Sequence, residues 1–401
     1  MADRPTAPNL GLSQATADTL YQPLDSDLTA IAALSTTSFG RAFLALADAA
    51  AGQAALGITS AAMTLDFGDG SDGAAVFNGT DAVTGFTLGG SVYTATTAQE
   101  FQWTNCTIST GVTVNPAGCP LLVSGTLTMN GTCAIDSGGG DASQNTAGAQ
   151  SSSLANARLY YGAAAGAGRT SAGAGSASGG LQTNAESVGG DGGAGGTSTS
   201  NGGAGTALTQ WTAAKGALRS LHIRWQSCVM PIAFKALQGG GGGGGGGMST
   251  LVGGTTGYSG GGGAGGGVVL VRALNLVGSA TTAIRANGGA GATAAMAGGT
   301  TGGGGGGGAG GGGFVSCSFD TITGAVVFQA NAGAAGNGHA VGAQAANGGA
   351  GGNGGRVWVA YRTKSTAITL SAALSNGGSA GAGGGSAGAN GTIGATVECE
   401  L

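Results

Sequence analysis

Residues 239–267 read GGGGGGGGGMSTLVGGTTGYSGGGGAGGG, and 19 of these 29 positions are glycine. Glycine loses more backbone freedom on folding than any other residue, so nine in succession, Gly239 to Gly247, form a flexible linker unless other interactions repay that entropy. The alternative is a set of extended, polyproline-II-like strands. Their backbone groups are unpaired internally and can bond sideways to neighbouring strands. Only glycine permits so close an approach, as at the crowded axis of collagen, but the six prolines and the lack of a G-X-Y register exclude collagen itself. Linker and glycine lattice are therefore the two readings of this stretch.

The surroundings favour the lattice. Glycine runs recur before GGGAGGGVVLVRALNLV from Gly261, GGGGFVSCSFDTITGAVVFQANAG from Gly310 and GGNGGRVWVAYRTKSTAITLS from Gly351. Each unit reads glycine run, β-branched or aromatic strand, small polar turn, second strand, then an exit into more glycine. The strands begin near Val268, Phe314 and Arg356, steps of 314 − 268 = 46 and 356 − 314 = 42 residues, as in stacked units.

Composition narrows the function classes. Charged residues make up 7% and aromatics 5% of the 401 residues, and the net charge is −4, which excludes charge-driven disorder and leaves no basic footprint for nucleic acid. Membrane insertion is not expected: the most apolar stretch, RAFLALADAAAGQAALGI, carries Arg41, Asp48 and Gln53 and is too short to span. The six cysteines, Cys106, Cys119, Cys133, Cys228, Cys317 and Cys399, contain no C-x-x-C, and only His222 and His339 could assist a metal site. They read as buried free thiols rather than disulfides, the first three spaced so that they could stack in a column.

Along the chain, three regions separate: 1–61, 62–137 and 138–401. In the first, Asp25 and Ser26 precede DLTAIAAL, Ser38 precedes FGRAFLALADAAAGQAAL, and Gly57 stands where a helix C-cap belongs, which predicts two short helices. The stripe of Phe39, Phe43 and Leu46 is too thin for one chain to bury, so it is expected to oligomerise, most simply as a homotrimer. From Met63 the periodicity becomes two, with D-G and N-G turns that read as hairpins. Asp66, Asp69, Asp72 and Asp81 lack the order of a calcium loop and read as turn residues. Residues 101–140 hold the short runs CTI, VTV, LLV, TLTM and CAI, a solenoid-like or sandwich-like pattern. The fold class expected is mainly β, with short N-terminal helices, a strand-rich middle and a glycine-rich repeat domain.

The stretch TLYQPLDSDLTAIAALSTTSFGRAFLALADAAAGQAALGI (19–58) resembles the helical linker near the N-terminus of many bacteriophage tail-fibre proteins. The strand-rich run around TLTMNGT is similar to the lead-in of glycine-rich phage fibre domains, and residues 138–401 resemble the adhesin domain of T-even-like phage fibres. The resemblance implies a trimeric virion fibre, made in the host cytoplasm. Its N-terminal part would attach to a tail or baseplate protein, and its glycine-rich part would pack polyglycine II helices. Loops at one end would meet the host receptor, a polysaccharide or an outer-membrane protein. Those loops map to MSTLVGGTTGYSG, ATAAMAGGTT and HAVGAQAANGG.

A glycine lattice has few side chains on its flanks, so recognition is expected where side chains return. The candidates are Tyr258 and His339 in the loops, and Trp211, His222 and Arg224 in the compositional break 206–238, residue types suited to stacking on sugars or filling a pocket. Trp225 in the same break reads as core. No carboxylate pair, no G-x-S-x-G and no G-K-[ST] after a glycine loop is present, so neither catalysis nor a cofactor or metal is expected. Two other readings stay open: a structural head fibre or spacer without receptor affinity, and a capsule-degrading tailspike.

Overall fold

A computed structural model describes residues 67–149, 164–171, 239–249, 252–279 and 281–400. They belong to one compact unit, Met63–Leu401. The expected helices with Phe39, Phe43 and Leu46 lie outside the described residues, as do Trp211, His222 and Arg224. Among the described residues there are strands and no helix. No helix among the described residues is therefore long and apolar enough to cross a membrane.

The strands form two long sheets and one short one. The first sheet runs β1 (Ala75–Phe77), β5 (Cys106–Ile108), β7 (Leu121–Met129), β10 (Val268–Val277), β13 (Phe314–Thr323), β16 (Arg356–Lys364) and β18 (Ala395–Glu400), with β4 (Phe101–Trp103) also on β7. The second runs β17 (Thr369–Ser371), β14 (Val327–Gln329), β11 (Ala283–Arg285), β8 (Ala134–Asp136), β6 (Thr113–Asn115), β3 (Val92–Ala95) and β2 (Phe86–Gly89). The short sheet is β15 (His339–Val341), β12 (Ala295–Gly304) and β9 (Val252–Tyr258).

From β5 onward the chain winds, giving one strand to each long sheet per rung, and both sheets are parallel apart from the β2–β3 hairpin. Val268 lies opposite Phe314 and Phe314 opposite Arg356. Identical faces therefore stack. In the second sheet Tyr93, Val114, Ile135, Ile284, Phe328 and Leu370 form one ladder of paired positions. The first five are fully buried in the core between the sheets. This ladder crosses the compositional boundary at 137/138 without a break, because β8 pairs with β11 although residues 137–282 separate them. In the first sheet Val268, Leu270, Phe314 and Trp358 on the opposite face are buried too. That is why VVLV and VWVAY read as continuous apolar runs rather than alternating ones.

The hairpins expected from Met63 onward are corrected in one respect. β1 pairs in parallel with β5, not with a sequence neighbour, and among the described residues only β2–β3 is a hairpin of consecutive strands. The D-G and N-G signals do mark bends, with Gly70, Gly73 and Gly79 at positive φ, but a bend in a winding chain leads to the next rung rather than back along the same one. The acidic residues serve these bends. Asp69 Oδ1 accepts the Ser71 N–H at 2.8 Å, and Asp72 Oδ2 accepts that of Gln102 at 2.7 Å. The bond from Ser71 holds the Asp69 carboxyl below its ordinary pKa.

Between its second-sheet strand and the next first-sheet strand each later rung makes an excursion through glycine. Residues 305–313 show how it is held. Gly305, Gly308 and Gly311 donate to Gly247, Gly244 and Gly241; Gly306, Ala309 and Gly312 to Asn347, Ala350 and Asn353; Gly307, Gly310 and Gly313 to Ala292, Gly289 and Ala286. All nine bonds measure 2.7–3.0 Å, and the same neighbour is met at every third residue. A three-residue turn without internal bonds is the geometry of the polyproline-II backbone. The segment is buried, and a Cβ at Gly307, Gly310 or Gly313 would overlap the carbonyl of Gly261, Ala264 or Gly267 in the preceding rung.

Where a ribbon lacks a lateral neighbour, side chains finish the bonding. Asn287 Oδ1 accepts the Asn331 N–H at 2.8 Å, Asn331 Oδ1 that of Ala373 at 2.8 Å, and Asn337 Oδ1 that of Ser379 at 2.7 Å. On the adjoining layer Asn347 and Asn353 do the same for Ser386 and Thr392. The N-G and N-A exits of the sequence repeat are thus a ladder of backbone caps. Asn331→Ala removes the acceptor for both Ala373 N–H and Ser371 Oγ, 2.7 Å away, and should cost about 1–2 kcal/mol. Urea unfolding of this variant beside Asn331→Asp, which keeps the acceptor and should recover most of the loss, checks the assignment.

Candidate functional site

The glycine excursions end in loops, and the loops lie together. Residues 239–247 lead into β9, the ribbon after β11 into β12, and the ribbon after β14 into β15. β12 pairs antiparallel with β9 on one side, Ala295 opposite Tyr258 and Thr301 opposite Val252, and with β15 on the other, Gly304 opposite His339. Register shifts between Ala297 and Thr301 bend β12, so its ends approach each other at the lattice. A Cβ at Gly304 would lie 3.0 Å from the Tyr258 carbonyl and 2.8 Å from Met296 Cε. A fourth turn, residues 382–384, sits beside β15: a Cβ at Gly381 would lie 2.9 Å from the His339 carbonyl carbon.

Two buried serines pin the loops to the lattice. Ser249 Oγ accepts the Gly303 N–H at 2.8 Å and donates to Gly303 O at 3.2 Å. Ser259 Oγ donates to Gly246 O at 2.5 Å and accepts the Arg169 N–H at 2.7 Å. A buried hydroxyl needs partners, and both have them. Met248 and Met296 are buried beneath the loops, Tyr258 is half-buried and His339 is exposed. Of the five recognition candidates, then, Tyr258 and His339 belong to one sheet, Tyr258 less open than its Gly–Ser setting suggests. The serines and the fourth loop were missed. Ser249 and Ser259 look like ordinary loop serines until their partners are known, and GAGGGSAG looks like more glycine. The segments 248–258, 295–304, 339–346 and 380–385 contain no charged residue.

Several ionisable groups elsewhere have structural partners. Asp136 pairs with Arg285 at 2.8 Å between adjacent rungs, and Asp320 with Arg362 at 2.8 Å. Glu398 accepts from Tyr361 Oη at 2.5 Å and from Lys364 Nζ; the bond from Lys364 is the main cause lowering the Glu398 pKa. Cys106, Cys119, Cys133 and Cys317 are buried free thiols, and Cys399 is half-buried and free. Burial pushes Cys133 up to about 11 and Cys106 and Cys317 further, so these thiols stay protonated and unreactive near neutral pH. They do not stack in one column: Cys106 is on β5, Cys119 in the turn before β7, and Cys133 just before β8. Among the described residues no three His, Cys, Asp or Glu side chains gather as a metal site. No protein-family model, no curated protein and no solved structure matches the chain.

Proposed function

We propose that this chain is a bacteriophage tail-fibre protein that binds a receptor on the bacterial surface through the loops at the end of its glycine ribbons. The glycine-rich part is read as a polyglycine II-like repeat domain; the three-residue cycling of hydrogen bonds along residues 305–313 supports that reading. The N-terminal region 1–61 attaches to the tail or baseplate and carries the homotrimer contact through Phe39, Phe43 and Leu46. The function proposed is adhesion in the virion, without catalysis.

The observation that carries the receptor reading is the meeting of four successive loops at one end of a lattice whose flanks carry mostly small side chains. Side chains able to discriminate a ligand return there, with Tyr258 and His339 on one sheet. The loops are uncharged, which suits a neutral polar partner such as a glycan or the backbone of a surface protein.

Tyr258→Ala and His339→Ala should each weaken adsorption to host cells roughly tenfold, the size of one aromatic or hydrogen-bonding contact, with the thermal midpoint nearly unchanged. Adsorption at the unsubstituted level for both variants would move the contact away from this sheet. Absence of cell binding by the unsubstituted protein would instead favour the spacer reading, which the smooth flanks also suit.

A further inference from the structure

In the layer that holds residues 305–313, the backbone bonds between successive glycine ribbons run from the earlier ribbon's N–H to the later ribbon's carbonyl. Gly306, Ala309 and Gly312 donate to Asn347, Ala350 and Asn353; Gly348, Gly351 and Gly354 donate to Ser386, Ala389 and Thr392. The next donors in this series are the N–H groups of Ala387, Asn390 and Ile393, and among the described residues none of them meets an acceptor. All three residues are exposed, Ile393 to 75%. The lateral rows are treated differently, since Asn331, Asn337, Asn347 and Asn353 cap them with side-chain oxygens. On the second layer Gly377 N–H is likewise capped, by Asn390 Oδ1 at 2.9 Å. The row at 387, 390 and 393 is left as an open edge of three regularly spaced donors; in the matching row of the neighbouring ribbon Gly377 is capped, and Leu374 and Ala380 have no acceptor among the described residues.

That edge also specifies the chemistry of what fits it. In residues 385–394, GSAGANGTIG, glycine stands at every third position, and Gly385, Gly388, Gly391 and Gly394 are the half-buried ones. A Cβ at Gly388, Gly391 or Gly394 would overlap the carbonyl of Gly349, Gly352 or Gly355 beneath it. The same clearance recurs one rung earlier, where Gly349, Gly352 and Gly355 lie over Gly307, Gly310 and Gly313. A strand laid on residues 385–394 therefore needs glycine at every third residue and carbonyls aimed at the donor row. A full further rung is not invited. The core-facing positions of β18 are Thr396, Glu398 and Glu400, opposite Val357, Val359 and Tyr361, so the apolar column ends in polar side chains.

We propose that the edge formed by residues 385–394 binds an extended glycine-repeat strand of a separate polypeptide, laid parallel to it and continuing the rung-to-rung bonding already present. The same edge of a second copy is a poor occupant, because two such edges would set N–H rows against each other. The proposal is independent of the receptor reading, since it concerns the exposed edge of the last described rung and not the loops.

The test uses the 401-residue protein and a synthetic peptide copying residues 385–396, beside a control peptide with alanine at every glycine. Hydrogen exchange at Ala387, Asn390 and Ile393 should slow roughly tenfold with the first peptide and not with the second. The double variant Ala387→Pro/Ile393→Pro removes two donors while proline keeps a φ compatible with this backbone, so it should unfold at the same temperature yet lose the peptide. No slowing at millimolar peptide, or equal binding by the proline variant, would overturn the proposal. So would self-association of the protein alone that the proline variant abolishes, since the occupant would then be a second copy.

Discussion

A Gly310→Val chain is expected to lose the folded state, with a destabilisation of more than about 4 kcal/mol against a total stability of about 5–15 kcal/mol. Gly310 lies in the middle of the buried ribbon 305–313, donates to Gly289 O at 2.9 Å and accepts from Gly333 N at 2.9 Å. Its Cβ would overlap the Ala264 carbonyl, and Gly352 approaches from the other side with its own Cβ position 2.5 Å from Gly310 O. A side chain in an ordinary core can turn to relieve overpacking, whereas a backbone carbonyl fixed by lateral bonds cannot move without breaking several of them. Gly89→Ala is the matched control, because nothing lies within 4 Å of a Cβ there and the position is exposed. Circular dichroism and urea unfolding of the two variants separate them, and a Gly310→Val protein with an unchanged midpoint would mean the ribbon is not held as described.

The second large effect is expected at Phe328. It is fully buried, takes its place in the ladder between Ile284 and Leu370, and its ring centroid lies 6.2 Å from that of Phe319 on the facing sheet. Truncation to alanine leaves a cavity joining both sheets in two adjacent rungs and should cost about 3–5 kcal/mol. Val76→Ala, at a half-exposed position on β1, should change stability by less than about 0.5 kcal/mol. A Phe328→Ala midpoint close to that of Val76→Ala would place the cohesion of the molecule in the glycine layer instead of between the sheets.

Much of the β architecture is legible because the residues that form rungs repeat in kind. Val268, Phe314 and Arg356 each follow glycine and open a strand, and these three positions are paired in the sheet. The older rungs are harder to read. β7 pairs with β10 across an excursion of more than a hundred residues, so the spacing that marks the later rungs is absent between Leu121 and Val271. At the loops, sequence composition points to Tyr258 and His339 as the places where larger side chains interrupt glycine. Ser249 and Ser259 carry no such mark, since a hydroxyl is informative only when its acceptor is known.

The sequence by itself determined that this chain is mainly β and where the later strands begin, and it favoured packed glycine over a flexible linker. These are local matters. They follow from β-branched runs, from turn residues and from the entropy of glycine, each of which acts within a few positions. Only the tertiary structure decided which neighbours each ribbon meets, and hence why residues 305–313 tolerate almost nothing but glycine whereas 385–394 need it at every third position. The first ribbon is buried and bonded to ribbons beside, beneath and above it; the second is bonded to the ribbon beneath it and to one beside it, and its outer row of donors is open. The lateral neighbours lie ten or more positions away and the neighbours in the next rung about forty, so no short window of sequence around either ribbon contains them all.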